Sequence, residues 1–152
     1  MIQQPTVQKS TIDLLSNFEG RRSKAYKDTA GKWTIGEGHL ILPNEQHLIT
    51  TTLSEDQIDQ LLTHDLSPRV DSLNNLLKVK LPQTKWDALL SFEFNEGAGA
   101  LSKSSLLAMV NTSQPVLEHH FTDWDKDMEG GKLVVNQGLL NRRLKEYQLF
   151  IS

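Results

Sequence analysis

Two carboxylic acids and a threonine stand close together near the beginning of this chain, at Glu19, Asp28 and Thr34. Eight residues separate the two acids, and five separate Asp28 from Thr34. Hydrolysis of a glycosidic bond generally needs two carboxyl groups, because one protonates the leaving oxygen while the other, ionised, activates water or attacks the sugar. Taken singly, each residue also has an ordinary explanation as a helix-end, turn or strand residue.

The local sequence predicts different surroundings for the two acids. Apolar residues at helical spacing predict a helix over residues 10–19, capped by Ser10. Glu19 would then lie at the C-terminus of this helix, where the negative end of the helix dipole favours a protonated carboxyl group. Residues 24–40 predict a β-hairpin or small sheet instead, and its turn begins with Asp28. Backbone N–H groups in such a turn favour the ionised form, so the two acids suit opposite roles.

Helical spacing dominates the chain from Ser54 onward. The pattern Ser54-x-x-Gln57 is typical of a capping box, and Pro82 suits the first turn of a later helix. The further helices are expected over about 82–95, from Ser104 or Ser105 to about 111, and over about 115–124 and 139–150. One helix, a small β unit and then many helices predict an α+β fold with segregated parts. We expect a single domain over residues 1–152, with residues 1–9 as a polar N-terminal extension.

The composition excludes several classes of protein. The chain has 152 residues, no cysteine and a formal net charge of −3. It therefore has neither disulfides nor a cysteine metal site, and it lacks the overall basic charge of a nucleic-acid binder. Residues 1–10 lack the apolar stretch of a signal peptide, and no segment approaches a membrane span in length. Neighbouring histidines such as His119 and His120 rarely share one ion in a helix, so we expect no metal and no cofactor.

The pattern Glu19-x8-Asp28-x5-Thr34, continued by Ile-Gly-x-Gly-His, resembles the catalytic signature of phage-type lysozymes, the endolysins of glycoside hydrolase family 24. Later segments resemble the same family, namely Ser91–Gly99, Ser104–Leu107, Trp124 and Gly138–Arg143. The resemblance therefore covers nearly the whole chain after residue 9.

By this resemblance Glu19 is the general acid, Asp28 orients the attacking water or stabilises positive charge on the sugar, and Thr34 helps to hold that water. The reaction implied is hydrolysis of the β-1,4 bond between N-acetylmuramic acid and N-acetylglucosamine in bacterial peptidoglycan, with inversion at the anomeric carbon. The residues implied to bind the glycan are Leu40, Phe94, Ser105 and Glu118.

The change from strand spacing to helical spacing near Ser54 predicts a mostly helical, two-lobed fold, which we expect to be lysozyme-like. Residues 10–20 and 24–40 would border one wall of a cleft, and helices after about residue 78 the other. The partners implied are peptidoglycan glycan strands, with no nucleic acid and no membrane insertion, and we expect a monomer. The protein would be made in the host bacterial cytoplasm and reach the cell wall after release by another factor.

Three other classes of function stay open at this point. The chain could be a non-catalytic glycan-binding module on the same scaffold, or the lysozyme-like domain of a secreted antibacterial toxin. A lytic transglycosylase needs an acid/base glutamate but no carboxylate that directs water. The presence of Asp28 and Thr34 therefore disfavours a transglycosylase, and the full set with Glu19 argues against a decayed binder.

The resemblance carries two expectations about ion pairs. The first is a structural pair between His39 and Asp65. The second is that either Arg142 or Arg143 pairs with Glu19, although adjacent arginines usually lie at the surface.

Two positions depart from the family pattern. Glu37 stands at the variable place of Gly-x-Gly-His, and Glu96 stands where the family commonly has an apolar residue. We expect both to add negative charge near the cleft and so to weaken attraction to an anionic cell wall.

Overall fold

The computed structural model of the chain describes residues 2–152 and has a mostly helical α+β fold. The chain divides into two compact units, Val7–Pro68 and Arg69–Ser152, and the described part of Met1–Thr6 belongs to the second. The helices are α1 (Lys9–Phe18), α2 (Glu55–Leu76), α3 (Gln83–Glu96), α4 (Ala98–Lys103), α5 (Ser105–Asn111), α6 (Glu118–Thr122) and α7 (Gln137–Phe150). The strands are β1 (Arg22–Lys27), β2 (Trp33–Gly36), β3 (His39–Leu40), β4 (Lys126–Glu129) and β5 (Lys132–Val135), and a 3-10 helix covers Pro43–Thr50.

The unit Val7–Pro68 contains α1 and a three-stranded antiparallel sheet in the order β1-β2-β3. This sheet confirms the small β unit that the sequence predicts for residues 24–40. Its inner face packs into a small apolar core made by Ile35, Ile41, Leu53 and Ile58. The capping box at the start of α2 is also confirmed, because Ser54 and Gln57 exchange backbone-to-side-chain hydrogen bonds of 2.8 and 3.2 Å.

The unit that begins at Arg69 is organised around α3, which packs against α4 and α7. Eight consecutive residues of α3, from Trp86 to Glu93, are buried. Trp86 is fully buried, and its indole N–H donates to Asn74 Oδ1 at 2.9 Å. The predicted helix over 82–95 is thus confirmed. Glu93 and Phe94 lie near its C-terminal end, in the segment that resembles the family.

The N-terminal segment differs from its prediction in two respects. Helix α1 begins at Lys9, and Ser10 lies inside it rather than capping it. The backbone N–H of Gln8 donates instead to Thr11 Oγ1 at 3.1 Å. Within the predicted extension 1–9, Met1 lies outside the described residues, while Gln4 bonds to the backbone of Val79 at 2.7 Å and Leu81 at 3.1 Å.

Two elements late in the chain also differ from prediction. Helix α6 is only five residues long, since its backbone turns helical after Leu117 rather than at Pro115. Between the helices expected over 115–124 and 139–150, where no strand was predicted, Gly130 and Gly131 form the turn of an antiparallel hairpin between β4 and β5. Among residues 2–152, no helix combines the length and the apolar character needed to cross a lipid bilayer.

Candidate active site

Glu19 is the first residue beyond helix α1. Its backbone is extended, with φ −96° and ψ 144°, while its N–H still donates to the Leu15 carbonyl at 2.9 Å. The half-buried side chain therefore leaves the chain where the helix ends and the segment toward β1 begins. This confirms the predicted placement of Glu19 at a helix C-terminus.

Asp28 opens the tight turn between β1 and β2. Its carbonyl accepts from the Gly31 N–H at 2.9 Å, and Gly31 has φ +78°, which suits a glycine. Asp28 Oδ1 accepts two further backbone hydrogen bonds, from Ala30 and Lys32, both at 2.9 Å. Because both amides bond to Oδ1, they fix the orientation of the carboxyl group. Neither of these two amides bonds to Oδ2.

Thr34 is connected to Asp28 through the backbone of Lys32. The Thr34 hydroxyl donates to the Lys32 carbonyl at 3.1 Å, and the Lys32 N–H donates to the Asp28 carboxylate. Thr34 lies on β2 and is 5% exposed. The structure therefore brings this part of the predicted catalytic set together on one turn and the strand that follows it.

Leu40 lies on the same face of the sheet as Thr34. In the antiparallel register Tyr26 is opposite Thr34, and Thr34 is opposite Leu40. Directly opposite residues share a face, so these three side chains form one row across β1, β2 and β3. Leu40 is 44% exposed, which leaves it accessible for contact with a ligand.

The other predicted glycan-binding residues belong to the unit that begins at Arg69. Phe94 is half-buried on α3 with the Arg69 guanidinium 6.0 Å from its ring centre. Ser105 is exposed at the first position of α5, after its N-cap, and Glu118 is exposed at the first position of α6. The predicted cleft that would join these residues to Glu19 and Asp28 stays a prediction.

His39 makes the predicted contact with Asp65, and it also has a second partner of which the sequence held no sign. His39 Nδ1 lies 2.7 Å from Asp65 Oδ2, and Nε2 lies 2.9 Å from Glu45 Oε1. Burial alone would lower the pKa of His39, but the hydrogen bonds and charges of Glu45 and Asp65 outweigh it and raise that pKa. Glu45 comes from the 3-10 helix, which the sequence analysis missed.

Glu37 and Glu96, which are expected to add negative charge near the cleft, are each paired with an arginine. Glu37 is buried and its carboxylate contacts the Arg21 guanidinium at 2.5 Å. Glu96 contacts the guanidinium of Arg143 at 2.8 Å. Each departure from the family pattern is thus paired with an arginine of its own unit, and the expected weaker attraction to an anionic cell wall stays a prediction.

Arg142 and Arg143 are buried, which corrects the expectation of a surface pair. Arg143 is fully buried and contacts Glu146 at 2.6 Å as well as Glu96. Arg142 donates to the Ser91 carbonyl at 3.1 Å and lies 3.3 Å from Glu146. The two arginines therefore tie α7 to α3 through a charged cluster inside the unit, and the pairing of one of them with Glu19 stays a prediction.

Glu93 is a buried acid that the sequence analysis passed over. The residue is fully buried, and neither carboxyl oxygen has a hydrogen-bond partner within residues 2–152. Burial raises the pKa of Glu93 to about 7, against a smaller lowering effect of Arg69. Its position at the centre of the motif Phe92-Glu93-Phe94 was the available signal, because an acid between two aromatic residues of a buried helix is unusual.

The fold and the turn that carries Asp28 and Thr34 define a lysozyme-like α+β protein. Residues 16–146 match the phage lysozyme family. An endolysin from Bacillus phage B103 is 38% identical over 149 residues, which cover 96% of this chain and 54% of that relative. An endolysin from Salmonella phage P22 is 32% identical over 148 residues, which cover 96% of this chain and 98% of the relative.

A solved structure agrees with these sequence matches. The muramidase domain of SpmX from Asticcacaulis excentricus superposes with a TM-score of 0.83 at 31% identity, covering 97% of this chain and 98% of that one. The chain belongs to the phage lysozyme family. It spans about half the length of the first curated relatives it matches, which are endolysins of Bacillus phages.

Proposed function

We propose that this chain is a muramidase, a glycoside hydrolase that cuts the β-1,4 bond between N-acetylmuramic acid and N-acetylglucosamine in bacterial peptidoglycan. Glu19 acts as the general acid and protonates the leaving oxygen. Membership of the phage lysozyme family supports the reaction class. The observation that carries the proposal is the network of Asp28, Lys32 and Thr34, because the Lys32 backbone bonds to both side chains and so links the fixed carboxylate to the hydroxyl.

Asp28 and Thr34 have the chemistry to hold one water molecule. The Asp28 carboxylate accepts hydrogen bonds, and the Thr34 oxygen also remains an acceptor because its O–H donates to the Lys32 carbonyl. The two acceptors match the two O–H donors of a water molecule. The backbone N–H groups of Ala30 and Lys32 keep Asp28 in place while it does so. Leu40, Phe94, Ser105 and Glu118 are the residues that we propose bind the glycan.

The first test is digestion of purified sacculi, followed by mass spectrometry of the released fragments. A muramidase releases fragments with new reducing ends at muramic acid. A glycan-binding module releases none, and a lytic transglycosylase releases 1,6-anhydro ends. Either of the last two results would contradict the proposal.

The stereochemical course is a separate part of the proposal. If water attacks directly, the anomeric carbon inverts, whereas a nucleophilic carboxylate retains it through a covalent intermediate. We expect the first product formed from a soluble peptidoglycan oligosaccharide to be the α-anomer, as observed by NMR during the first turnovers. An initial β-anomer, or an adduct trapped on Asp28, would overturn the inverting course and leave the muramidase assignment standing.

A further inference from the structure

Glu37 lies in the tight connection between β2 and β3, flanked by two glycines that have positive φ angles of +67° and +76°. A side chain in such a turn is usually exposed, yet the Glu37 side chain is fully buried. Burying a carboxylate is costly unless it is paired and hydrogen-bonded. The partners of the Glu37 carboxylate therefore explain how its burial is stabilised.

One oxygen of Glu37 binds the chain on both sides of Glu19. Glu37 Oε1 accepts from the Ser16 hydroxyl at 2.5 Å and from Arg21 Nη1 at 2.5 Å. Ser16 precedes Glu19 by three residues in α1, and Arg21 follows it by two residues. Arg21 Nη1 also donates to Ser16 Oγ at 3.3 Å, which closes the triangle.

Arg21 also contacts two further acids. Its guanidinium contacts Glu55 at 2.6 Å and Asp59 at 2.9 Å, both from α2. Partial burial acts to lower the pKa of Arg21, but the three carboxylates outweigh it and raise that pKa. Of these three acids, Glu37 alone is fully buried and also binds Ser16, so Glu37 is the one that links Arg21 to α1.

We propose that Glu37 is a positioning residue for Glu19, which it orients by fixing Ser16 and Arg21 on either side of the general acid. This inference rests on the proposed role of Glu19 as that acid. The triangle spans the end of α1, where the backbone leaves the helix and has no further helical hydrogen bonds to hold it. Proton transfer depends steeply on geometry, and a shift of about 1 Å in a reacting group can cost about a hundredfold in rate.

The decisive variant is Glu37→Gln, which keeps the shape and an oxygen acceptor but removes the charge that binds Arg21. With soluble peptidoglycan oligosaccharides, we expect kcat to fall about tenfold or more while KM changes less than about twofold. The matched control is Glu55→Gln, which also removes one carboxylate from Arg21 but does not touch Ser16. We expect that control to keep kcat within about twofold of the wild type, because Glu55 is largely exposed.

A second variant covers the case in which Glu37→Gln does not fold, as judged by circular dichroism. Ser16→Ala removes one side of the triangle at a half-buried position, and we expect it to lower kcat several-fold with KM unchanged. If the wild type is active and a folded Glu37→Gln protein keeps full kcat, the positioning role is overturned while the proposed function stands. An equal loss of kcat in Glu55→Gln would also overturn the positioning role. If Glu37→Gln does not fold, full kcat in Ser16→Ala would overturn it. A wild type that releases no reducing ends would overturn this inference together with the proposed function.

Discussion

The Asp28 side chain has two functions, one in the structure of the turn and one in the proposed chemistry. Oδ1 accepts from two backbone amides and shapes the turn, and the negative charge is what the proposed chemistry uses. The variant Asp28→Asn keeps an oxygen for both amides, so the turn is retained while the charge is lost. We expect kcat to fall by about 10²–10⁴, the usual range for losing a general base. Retention of wild-type kcat by a folded Asp28→Asn protein would remove Asp28 from the mechanism.

His39 gives a prediction about stability rather than catalysis. Because Glu45 and Asp65 raise its pKa in the folded state, the folded protein binds the His39 proton more tightly than the unfolded chain does. The stabilisation is complete below the ordinary value of 6.5 and is lost as pH rises through the raised value. An NMR titration checks this directly, with Glu45→Gln as a partner variant in which we expect a lower pKa for His39. A wild-type pKa at or below 6.5 would contradict the account.

At the scale of elements, two glycines test backbone conformation without interference from packing. A Cβ added at Gly38 or at Gly99 would meet no atom within 4 Å, but Gly38 has φ +76° and Gly99 lies inside α4. We expect Gly38→Ala to lower the free energy of unfolding by about 1–2 kcal/mol. We expect Gly99→Ala to raise it by about 0.4–1 kcal/mol. Urea denaturation of both variants measures the contrast, and equal effects would argue against the turn geometry between β2 and β3.

The elements around the candidate catalytic residues were predictable because each depends on local signals. The turn has Asp first and Gly fourth, and the capping box pairs Ser54 with Gln57. In both motifs, the residues that contact one another are close together in the sequence. The hairpin of β4 and β5 was missed although Gly-Gly is a known hairpin turn. Its strand residues are exposed, so the pattern of alternating burial that normally indicates strands is absent.

The paired charges were not predictable in the same way. Glu37 and Arg21 are 16 residues apart, and Glu96 and Arg143 are 47 apart. Nothing along the chain specifies that such residues meet, because tertiary packing brings them together. The resemblance to the family predicted the pair of His39 and Asp65. It could not predict the arginine partners of Glu37 and Glu96, because these two residues depart from the family pattern.

We expect the stability of the whole molecule to depend on pH because of Glu93. Burial raises its pKa from the ordinary 4.5 to about 7, so between these values the folded protein binds more protons than the unfolded chain. Stability is therefore lost as pH rises from about 4.5 through 7. We expect Glu93→Gln to be less sensitive to this change than the wild type. Urea denaturation at about pH 5 and about pH 8 compares the two, and an identical pH dependence in both proteins would contradict a buried, titrating Glu93.

The proposed function depends on Glu19 as the proton donor of a peptidoglycan hydrolase. The most direct measurement is the initial rate of reducing-end release from purified sacculi by the wild type, by Glu19→Gln and by Asp13→Asn. Asp13 is an exposed acid on the same helix whose partner is Lys9, so its amide variant controls for the loss of a carboxylate from α1.

We expect Asp13→Asn to match the wild type within about twofold, and Glu19→Gln to lose about 10²–10⁴ of the rate with an unchanged circular dichroism spectrum. A folded Glu19→Gln protein that keeps more than about a tenth of the wild-type rate would contradict the claim, because losing the proton donor costs far more than that.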